Sequence, residues 1–221
     1  MGRSNQAKLY NYQRGQSMIE EARLLDHKPS LLLHSCCAPC NSAVLEMLMD
    51  VFDVTIFYNN HNIYPVDEFE LRLSELRRFV SIYNDLHHET IQVIVPELHF
   101  DEYTQRLGKR SEDREGGLRC QMCLAMRLKE TLDYAVNHQF DYVTTVMTIS
   151  RCKNSIQINE LAEKLMGHYP SLTYLYSDFK KKGGIDRSRE LCAQYDLYTQ
   201  EYCGCLYSFR EYLKRPKKEA V

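Results

Sequence analysis

Residues 30–50 read SLLLHSCCAPCNSAVLEMLMD, and this stretch gives the clearest indication of the fold. The short apolar run SLLLHS predicts a buried β-strand. The segment NSAVLEMLMD predicts a helix, with its asparagine or serine as the cap. Three cysteines, Cys36, Cys37 and Cys40, lie in the turn between the two elements. A strand, a turn and a helix in this order predict one unit of a parallel α/β sheet.

The same alternation continues along the chain. Four further segments, FDVTIFYN, IQVIVPE, DYVTTVMTIS and LTYLYSD, have the composition of strands, and helical patterns separate them. The clearest helix follows Pro65, where apolar residues recur every three or four positions. We therefore predict an α/β, Rossmann-like (HUP-type) fold. It has a mostly parallel five-stranded sheet, helices on both faces and a C-terminal helical region.

The predicted domain organisation is simple. Residues 1–29 are expected to form a polar segment, loosely ordered up to residue 16, followed by a short helix that Ser17 caps. Residues 30–213 form a single α/β catalytic domain, and residues 214–221, KRPKKEAV, form a basic tail. Ligands of such sheets bind outside the carboxyl ends of the strands, and the first cysteine group follows one such end.

Composition and charge narrow the function classes. The 221 residues are 44% hydrophobic and 26% charged, with a formal net charge of −2. This balance is ordinary for a globular protein and does not by itself call for a polyanionic partner. The sequence contains no apolar run near the roughly 20 residues of a membrane span, and its start lacks the apolar centre of a signal peptide. We expect a cytoplasmic protein with no membrane partner.

Nine cysteines in a reducing compartment indicate metal binding or redox catalysis rather than structural disulfides. Two of them, Cys152 and Cys192, stand alone and are expected to be small packed side chains. The other seven form three tight groups: Cys36, Cys37 and Cys40; Cys120 and Cys123; and Cys203 and Cys205.

The first two groups each lie at the predicted start of a helix, where free N–H groups and the helix dipole stabilise thiolates. Cys120 and Cys123 are one turn apart and face the same way. Four thiolates aimed at one point favour zinc or an iron–sulfur cluster. Two Cys-x-x-Cys pairs make a zinc site a fair alternative. The spare cysteines and the position at the carboxyl edge favour the iron–sulfur cluster.

The third group, Cys203-Gly-Cys205, differs from the others. Glycine takes the unusual backbone angles that a disulfide ring this small requires. A strained, exposed disulfide is easily reduced. The two residues are therefore either further metal ligands or a dithiol/disulfide pair that passes two electrons.

Six segments in this order resemble one family. HSCCAPC, FYNNHNIYPVDEFELR, EGGLRCQMCLAMRL, TTVMTIS, YSDFKKKGG and YTQEYCGCLYS are similar to the QueH family, the cobalamin-independent epoxyqueuosine reductases of tRNA modification. The resemblance covers residues 30 to about 210. It implies reduction of epoxyqueuosine to queuosine at the tRNA wobble position, the last step of queuosine biosynthesis. One departure is the turn after TTVMTIS, where Arg151 and Cys152 replace an expected proline.

The resemblance also implies a set of site residues. A [4Fe-4S] cluster would be held by Cys36, Cys37, Cys120 and Cys123, and Cys203 and Cys205 would be the redox-active disulfide pair. Cys40 and Asp178 match positions that would bind an additional iron ion. The partners are a tRNA that carries epoxyqueuosine and an electron donor that the sequence does not identify.

A basic cluster follows the last strand. Lys180, Lys181, Lys182 and Arg187 are predicted to contact the phosphates of the tRNA. Tyr202 and Tyr207 flank the cysteine pair and are candidates for stacking an extruded base. Residues 59–62 either read a base or simply form a turn. His34 is either a proton donor or a buried core residue.

Two other functions are weighed against this one. An ATP-dependent RNA-modifying enzyme of similar fold needs a glycine-rich phosphate loop after the first strand, and HSCCAPC contains no glycine. A zinc-stabilised binding module would leave the Cys203–Cys205 pair without a role. The sequence therefore favours the oxidoreductase.

Overall fold

The computed structural model describes residues 3–216, with side chains from residue 9 onward. Within this range it contains eight α-helices, five strands and one 3-10 helix. The helices are α1 Arg3–Arg23, α2 Ala38–Leu48, α3 Val66–His87, α4 Phe100–Gly108, α5 Leu118–Asn137, α6 Ser155–Met166, α7 Gly184–Gln194 and α8 Leu206–Leu213. The strands are β1 Ser30–His34, β2 Asp53–Phe57, β3 Gln92–Ile94, β4 Tyr142–Thr145 and β5 Thr173–Tyr174, and the 3-10 helix is Val146–Ile149.

The five strands form one parallel sheet in the order β3-β2-β1-β4-β5. His34, the last residue of β1, lies beside Phe57 of β2 and Thr145 of β4. The segments that follow these three strands therefore leave the sheet at one carboxyl edge. The predicted Rossmann-like fold is confirmed, and its central strand β1 delivers the first cysteine group to that edge.

Helices cover both faces of the sheet, as the alternation of β1 shows. Leu31 and Leu33 belong to a large core that includes Leu45 and Leu48 of α2. Leu32 points to the other core, with Leu128 and Leu132 of α5. Because successive residues of a strand face opposite ways, one short apolar run anchors both layers.

The N-terminal helix is longer than predicted. α1 begins at Arg3, so the expectation of loose order up to residue 16 is wrong for residues 3–16. Gly15 explains how this polar helix docks, since a Cβ there would lie 2.1 Å from the carbonyl oxygen of Tyr176. Only glycine allows this close backbone approach. The Arg14 guanidinium also stacks 3.6 Å above the ring of Tyr176.

Two other boundaries differ from the sequence prediction. α2 begins at Ala38 rather than after Asn41, which places Cys40 in its first turn. The fourth strand ends at Thr145, whose hydroxyl accepts a hydrogen bond from the Met147 amide at 3.1 Å and starts the 3-10 helix.

The domain boundaries at residues 29 and 213 stay a prediction, and most of the predicted basic tail, residues 217–221, lies outside the described residues. None of the helices in residues 3–216 has the length and apolar character that crossing a bilayer requires.

Candidate active site

Cys36, Cys37 and Cys40 form a compact group of thiols at the start of α2. Cys37 is the residue immediately before the helix, and its Sγ lies 2.8 Å from that of Cys40 and 3.7 Å from that of Cys36. All three sulfur atoms lie within 4.8 Å of one another. The early start of α2 produces this group because it turns Cys40 back toward Cys37. Three converging thiols are suited to a soft or borderline metal.

Interactions within this group favour ionisation of Cys36 over that of its two neighbours. Hydrogen bonds from Cys37 and Cys40 lower the pKa of Cys36, while the resulting thiolate raises the pKa of both neighbours. Gln200 adds a hydrogen bond to the Cys37 sulfur at 3.2 Å. A bound cation would displace the protons of Cys37 and Cys40, because metal ligation requires the thiolate form.

Cys120 and Cys123 occupy the first two turns of α5. The Gly116 amide donates to the Cys120 sulfur at 3.2 Å, and the Tyr103 hydroxyl lies 3.4 Å from the Cys123 sulfur. Burial raises the pKa of both thiols. They are therefore held mainly as neutral groups until a metal or another cation compensates their charge.

A cavity of about 380 Å³ brings this second group together with the third. Cys120, Cys123, Cys203 and Cys205 all line it, and all four are free thiols. The volume falls in the range of small-molecule sites. Cys152 lies at the same cavity and is exposed, so the expectation that it is a packed side chain is wrong.

A buried arginine connects the cysteine groups. Arg127 of α5 is 4% exposed, and its guanidinium donates to the Asn59 carbonyl at 3.0 Å and to the Asn60 side chain at 2.7 Å. Burial lowers the pKa of Arg127, but the negative charges of nearby groups outweigh this and raise it. Cys123, Cys36 and Cys203, one from each cysteine group, are among these neighbours. Arg127 is thus a fixed positive charge placed among all three groups.

A second buried arginine holds the loop that carries the cysteine pair. Arg72 of α3 forms an ion pair with Glu68 at 2.7 Å and donates to the carbonyls of Tyr202 and Cys203 at 3.2 and 3.3 Å. Between the cysteines, Gly204 has φ +122, and a Cβ there would lie 3.1 Å from the Arg72 guanidinium. The glycine is therefore required by both backbone angle and packing.

Several candidate RNA-reading groups have internal partners. Asn60 donates to the Ser35 carbonyl at 2.9 Å, and His61 bonds to Glu130 at 2.8 Å, so these residues brace the loop after β2. The Tyr202 hydroxyl donates to the Tyr64 carbonyl at 2.7 Å. The ring of Tyr207 lies 4.2 Å from the Arg119 guanidinium.

His34 is fully buried, and its Nδ1 lies 2.9 Å from the Thr145 hydroxyl. Burial, followed by the charge of Arg127, lowers the pKa of His34 to about 3. The imidazole is therefore neutral at physiological pH, as expected for a core histidine rather than a proton donor.

Two members of the basic cluster already have partners within the protein. The Lys180 amine donates to the backbone carbonyl of Thr148 at 2.7 Å, and Arg187 pairs with Glu46 and Glu190 at 2.7 and 2.9 Å. Lys181 is half-buried and Lys182 is exposed. These two lysines are better placed for phosphate contacts than Lys180 and Arg187, which already have protein partners.

Asp178 is 2% exposed, and neither of its carboxylate oxygens has a hydrogen-bond partner among the described residues. The Lys180 amine lies 3.6 Å away, close enough for charge attraction but too far for a hydrogen bond. A buried carboxylate with free lone pairs is a suitable ligand for a hard cation.

Comparison with known proteins agrees with the motifs. The family model described as epoxyqueuosine reductase QueH matches residues 31–211, which include all the cysteines of this site. This chain belongs to the QueH family. The predicted family and its enzyme class, an oxidoreductase, are confirmed.

Three QueH relatives illustrate the similarity. A protein from Streptococcus pyogenes serotype M1 is 41% identical over 181 residues, which cover 82% of this chain and 71% of the relative. One from Acinetobacter baylyi is 37% identical, covering 86% and 84%. One from Dehalococcoides mccartyi is 30% identical, covering 87% and 99%. All three are named epoxyqueuosine reductase QueH.

Sequence analysis of this QueH chain missed Arg127 and Lys153, whose amine lies 3.0 Å from the Cys203 sulfur. Arg127 lies one helical turn after Cys123, on the face of α5 that points into the site. That spacing was the available signal for Arg127. Nothing local marks Lys153, which lies 50 residues from the cysteine that it contacts.

We expect Gly204→Ala to destabilise the protein by about 2–3 kcal/mol, because the methyl group meets Arg72 and the backbone angle disfavours an L-residue. Gly183→Ala is the matched control, since Gly183 has φ +81 but no atom within 4 Å of its added Cβ. The control should lose only about 1 kcal/mol. Urea unfolding of the three proteins measures both losses, and equal losses would exclude a contribution from packing against Arg72.

Proposed function

We propose that this protein reduces epoxyqueuosine to queuosine at the wobble position of tRNA, the final step of queuosine biosynthesis. The family match supports the substrate. The observation that carries the proposal is the 380 Å³ cavity, because Cys120, Cys123, Cys203 and Cys205 meet there although they come from two distant segments. Cytoplasmic location and the absence of a membrane partner stay predictions.

The donor set supports an iron–sulfur cofactor. We propose that Cys36, Cys37, Cys120 and Cys123 hold a [4Fe-4S] cluster. Thiolates are the usual protein ligands of such clusters, and a cluster with four of them carries net negative charge. The buried guanidinium of Arg127 interacts electrostatically with Cys36 and Cys123 and would compensate that charge.

The proposal includes an additional iron ion beside the cluster, held by Cys40 and Asp178. Cys40 lies within 4.8 Å of both proposed cluster ligands of its group. The unbonded, buried carboxylate of Asp178 offers oxygen lone pairs that no described residue uses. Iron at such a position would polarise the epoxide oxygen as a Lewis acid.

Cys203 and Cys205 would supply the electrons. Conversion of an epoxide to an alkene consumes two electrons and two protons and releases water. Oxidation of a dithiol to a disulfide provides two electrons, and both thiols line the cavity. An external electron donor, still unidentified, must then reduce the disulfide.

The cluster assignment predicts metal contents. Cys120→Ala should yield protein with much less iron and sulfide after anaerobic purification, because one of four ligands is lost. Cys192→Ala serves as the control, since Cys192 is half-buried in α7 and is not a proposed ligand. Iron, sulfide and zinc analysis measures the outcome. Full iron and sulfide in Cys120→Ala removes Cys120 from the ligand set, and zinc without sulfide supports a zinc site instead.

The electron-transfer assignment predicts a separation of cofactor and activity. Cys205→Ser should keep the iron–sulfur absorbance but stop turnover, because one serine prevents disulfide formation. The measurement is single-turnover reduction of tRNA that carries epoxyqueuosine, followed by thiol counting under denaturing conditions. The parent protein and Cys192→Ser should each lose two thiols per queuosine. Queuosine formation with a constant thiol count contradicts an electron-carrying pair, and iron loss in Cys205→Ser identifies a ligand.

The RNA contact is proposed for the cluster Lys180, Lys181, Lys182 and Arg187, with Lys181 and Lys182 as its phosphate-binding members. Lys181→Gln with Lys182→Gln should weaken tRNA binding and lower the slope of log K against log salt by about 2, roughly one per contact. Arg77→Gln with Lys129→Gln removes the same charge from other exposed helices. Filter binding at several salt concentrations measures the slope. Equal slopes in both double variants would mean that residues 181 and 182 contact no phosphate.

A further inference from the structure

Lys153 gives the two cysteines of the pair different environments. Its amine lies 3.0 Å from the Cys203 sulfur, and both side chains line the central cavity. Cys205 instead is the N-cap of α8, where its sulfur accepts from the Ser208 amide and its thiol donates to the Ser208 hydroxyl, both at 3.4 Å. Cys203 therefore has a full positive charge beside it, and Cys205 has only uncharged hydrogen-bond partners.

The surroundings of Lys153 make its charge depend on Cys203. An ionised Cys203 would raise the pKa of Lys153 more strongly than burial lowers it. Cys123 also raises this pKa and Arg127 lowers it, while Cys120 faces Lys153 across the cavity. The Lys180 amine lies 3.3 Å from the Lys153 carbonyl, which adds a further positive group behind it. Once Cys203 loses its charge, burial and Arg127 favour the neutral amine, and only an ionised Cys120 or Cys123 would oppose it.

We propose that Lys153 holds Cys203 as the thiolate of the redox pair and releases its own ammonium proton when the disulfide forms. This inference rests on the proposed epoxide reduction. Lys153 is a positioning residue toward Cys203 and a proton source for the reaction. It lies in the turn that departs from the expected family pattern, three residues after Ser150 and joined to it by a backbone hydrogen bond of 3.3 Å.

The step balances. A sulfur–sulfur bond forms between Cys203 and Cys205, and two electrons leave the pair. One proton leaves the Cys205 thiol and the second leaves the Lys153 ammonium group. The epoxide takes up both electrons and both protons, its two carbon–oxygen bonds break, and an alkene and water result. The protein thus supplies the full complement of protons without drawing on solvent.

Alkylation of Cys203 tests the thiolate, and it needs no tRNA substrate. The protein is the reduced holoenzyme in a Cys205→Ser background, treated anaerobically with iodoacetamide, and peptide mass spectrometry follows Cys203 alone. Lys153→Met should slow alkylation at pH 7 on the order of tenfold, because only the thiolate reacts and a shift of one pKa unit changes its fraction about tenfold. Lys153→Arg should restore the rate, since it retains the charge.

Lys164→Met is the matched control, because Lys164 is an exposed lysine on the same cavity. It should leave the rate of Cys203 alkylation unchanged. An unchanged rate in Lys153→Met overturns the proposal, and so does an equal slowing in Lys164→Met, which would reflect the general potential of the cavity. Either result leaves the proposed epoxide reduction untouched.

Proton counting tests whether Lys153 releases its ammonium proton during the reaction. In a single turnover in weak buffer with an indicator dye, the protein with Lys153 should take up no net proton per queuosine. Lys153→Arg should take up one, because arginine keeps the thiolate but cannot release a proton. Uptake of one proton by the parent protein, or of none by Lys153→Arg, overturns the role as proton source. Absence of queuosine in the parent protein would instead contradict the proposed function.

Discussion

Arg127 is a full positive charge with only 4% of its surface exposed, and the site is arranged around it. An ion buried without partners costs several kcal/mol, so the chain must supply acceptors and negative charge nearby. The loop after β2 supplies the acceptors through Asn59 and Asn60. Cys36, the thiol whose pKa is lowered, supplies negative charge. The same guanidinium therefore orders the loop and favours thiolates around it, which is the condition that an anionic cluster needs.

The sheet makes this arrangement possible because its strands are parallel. β1, β2 and β4 end side by side, so the cysteine turn, the asparagine loop and the 3-10 helix emerge at one edge. Buried hydrogen bonds then fix the relative positions of these segments, as when Asn60 donates to the Ser35 carbonyl. Such buried hydrogen bonds resist movement, because breaking one leaves an unsatisfied partner. The carboxyl edge of the sheet thus holds the side chains of separate segments in fixed relative positions.

The loop that carries Cys203 is held in a different way. Arg72 reaches from α3 to its backbone carbonyls, and Lys153 reaches from the turn before α6 to its sulfur. Backbone anchoring leaves both cysteine side chains facing the cavity. The contacts of Arg72 involve backbone atoms and leave the two sulfur atoms free of them. Such anchoring would suit the proposed change of the pair between thiol and disulfide.

Local patterns were enough to predict the α/β class, the five strands, the long helix α3 and the three cysteine groups, because periodicity and cysteine spacing are properties of neighbouring residues. Local patterns failed at α1, whose polar sequence does not predict a helix. Close packing of Gly15 against Tyr176 stabilises this helix. Local patterns also did not reveal the bonds of Lys180 to backbone carbonyls, which arise only when the turn at 148–153 folds over it. The partnership of Arg127 with three cysteine groups, and of Lys153 with Cys203, joins residues far apart in the chain. Only the tertiary structure decides such contacts, because the energy of a buried charge depends on which groups surround it in space rather than on which precede it in sequence.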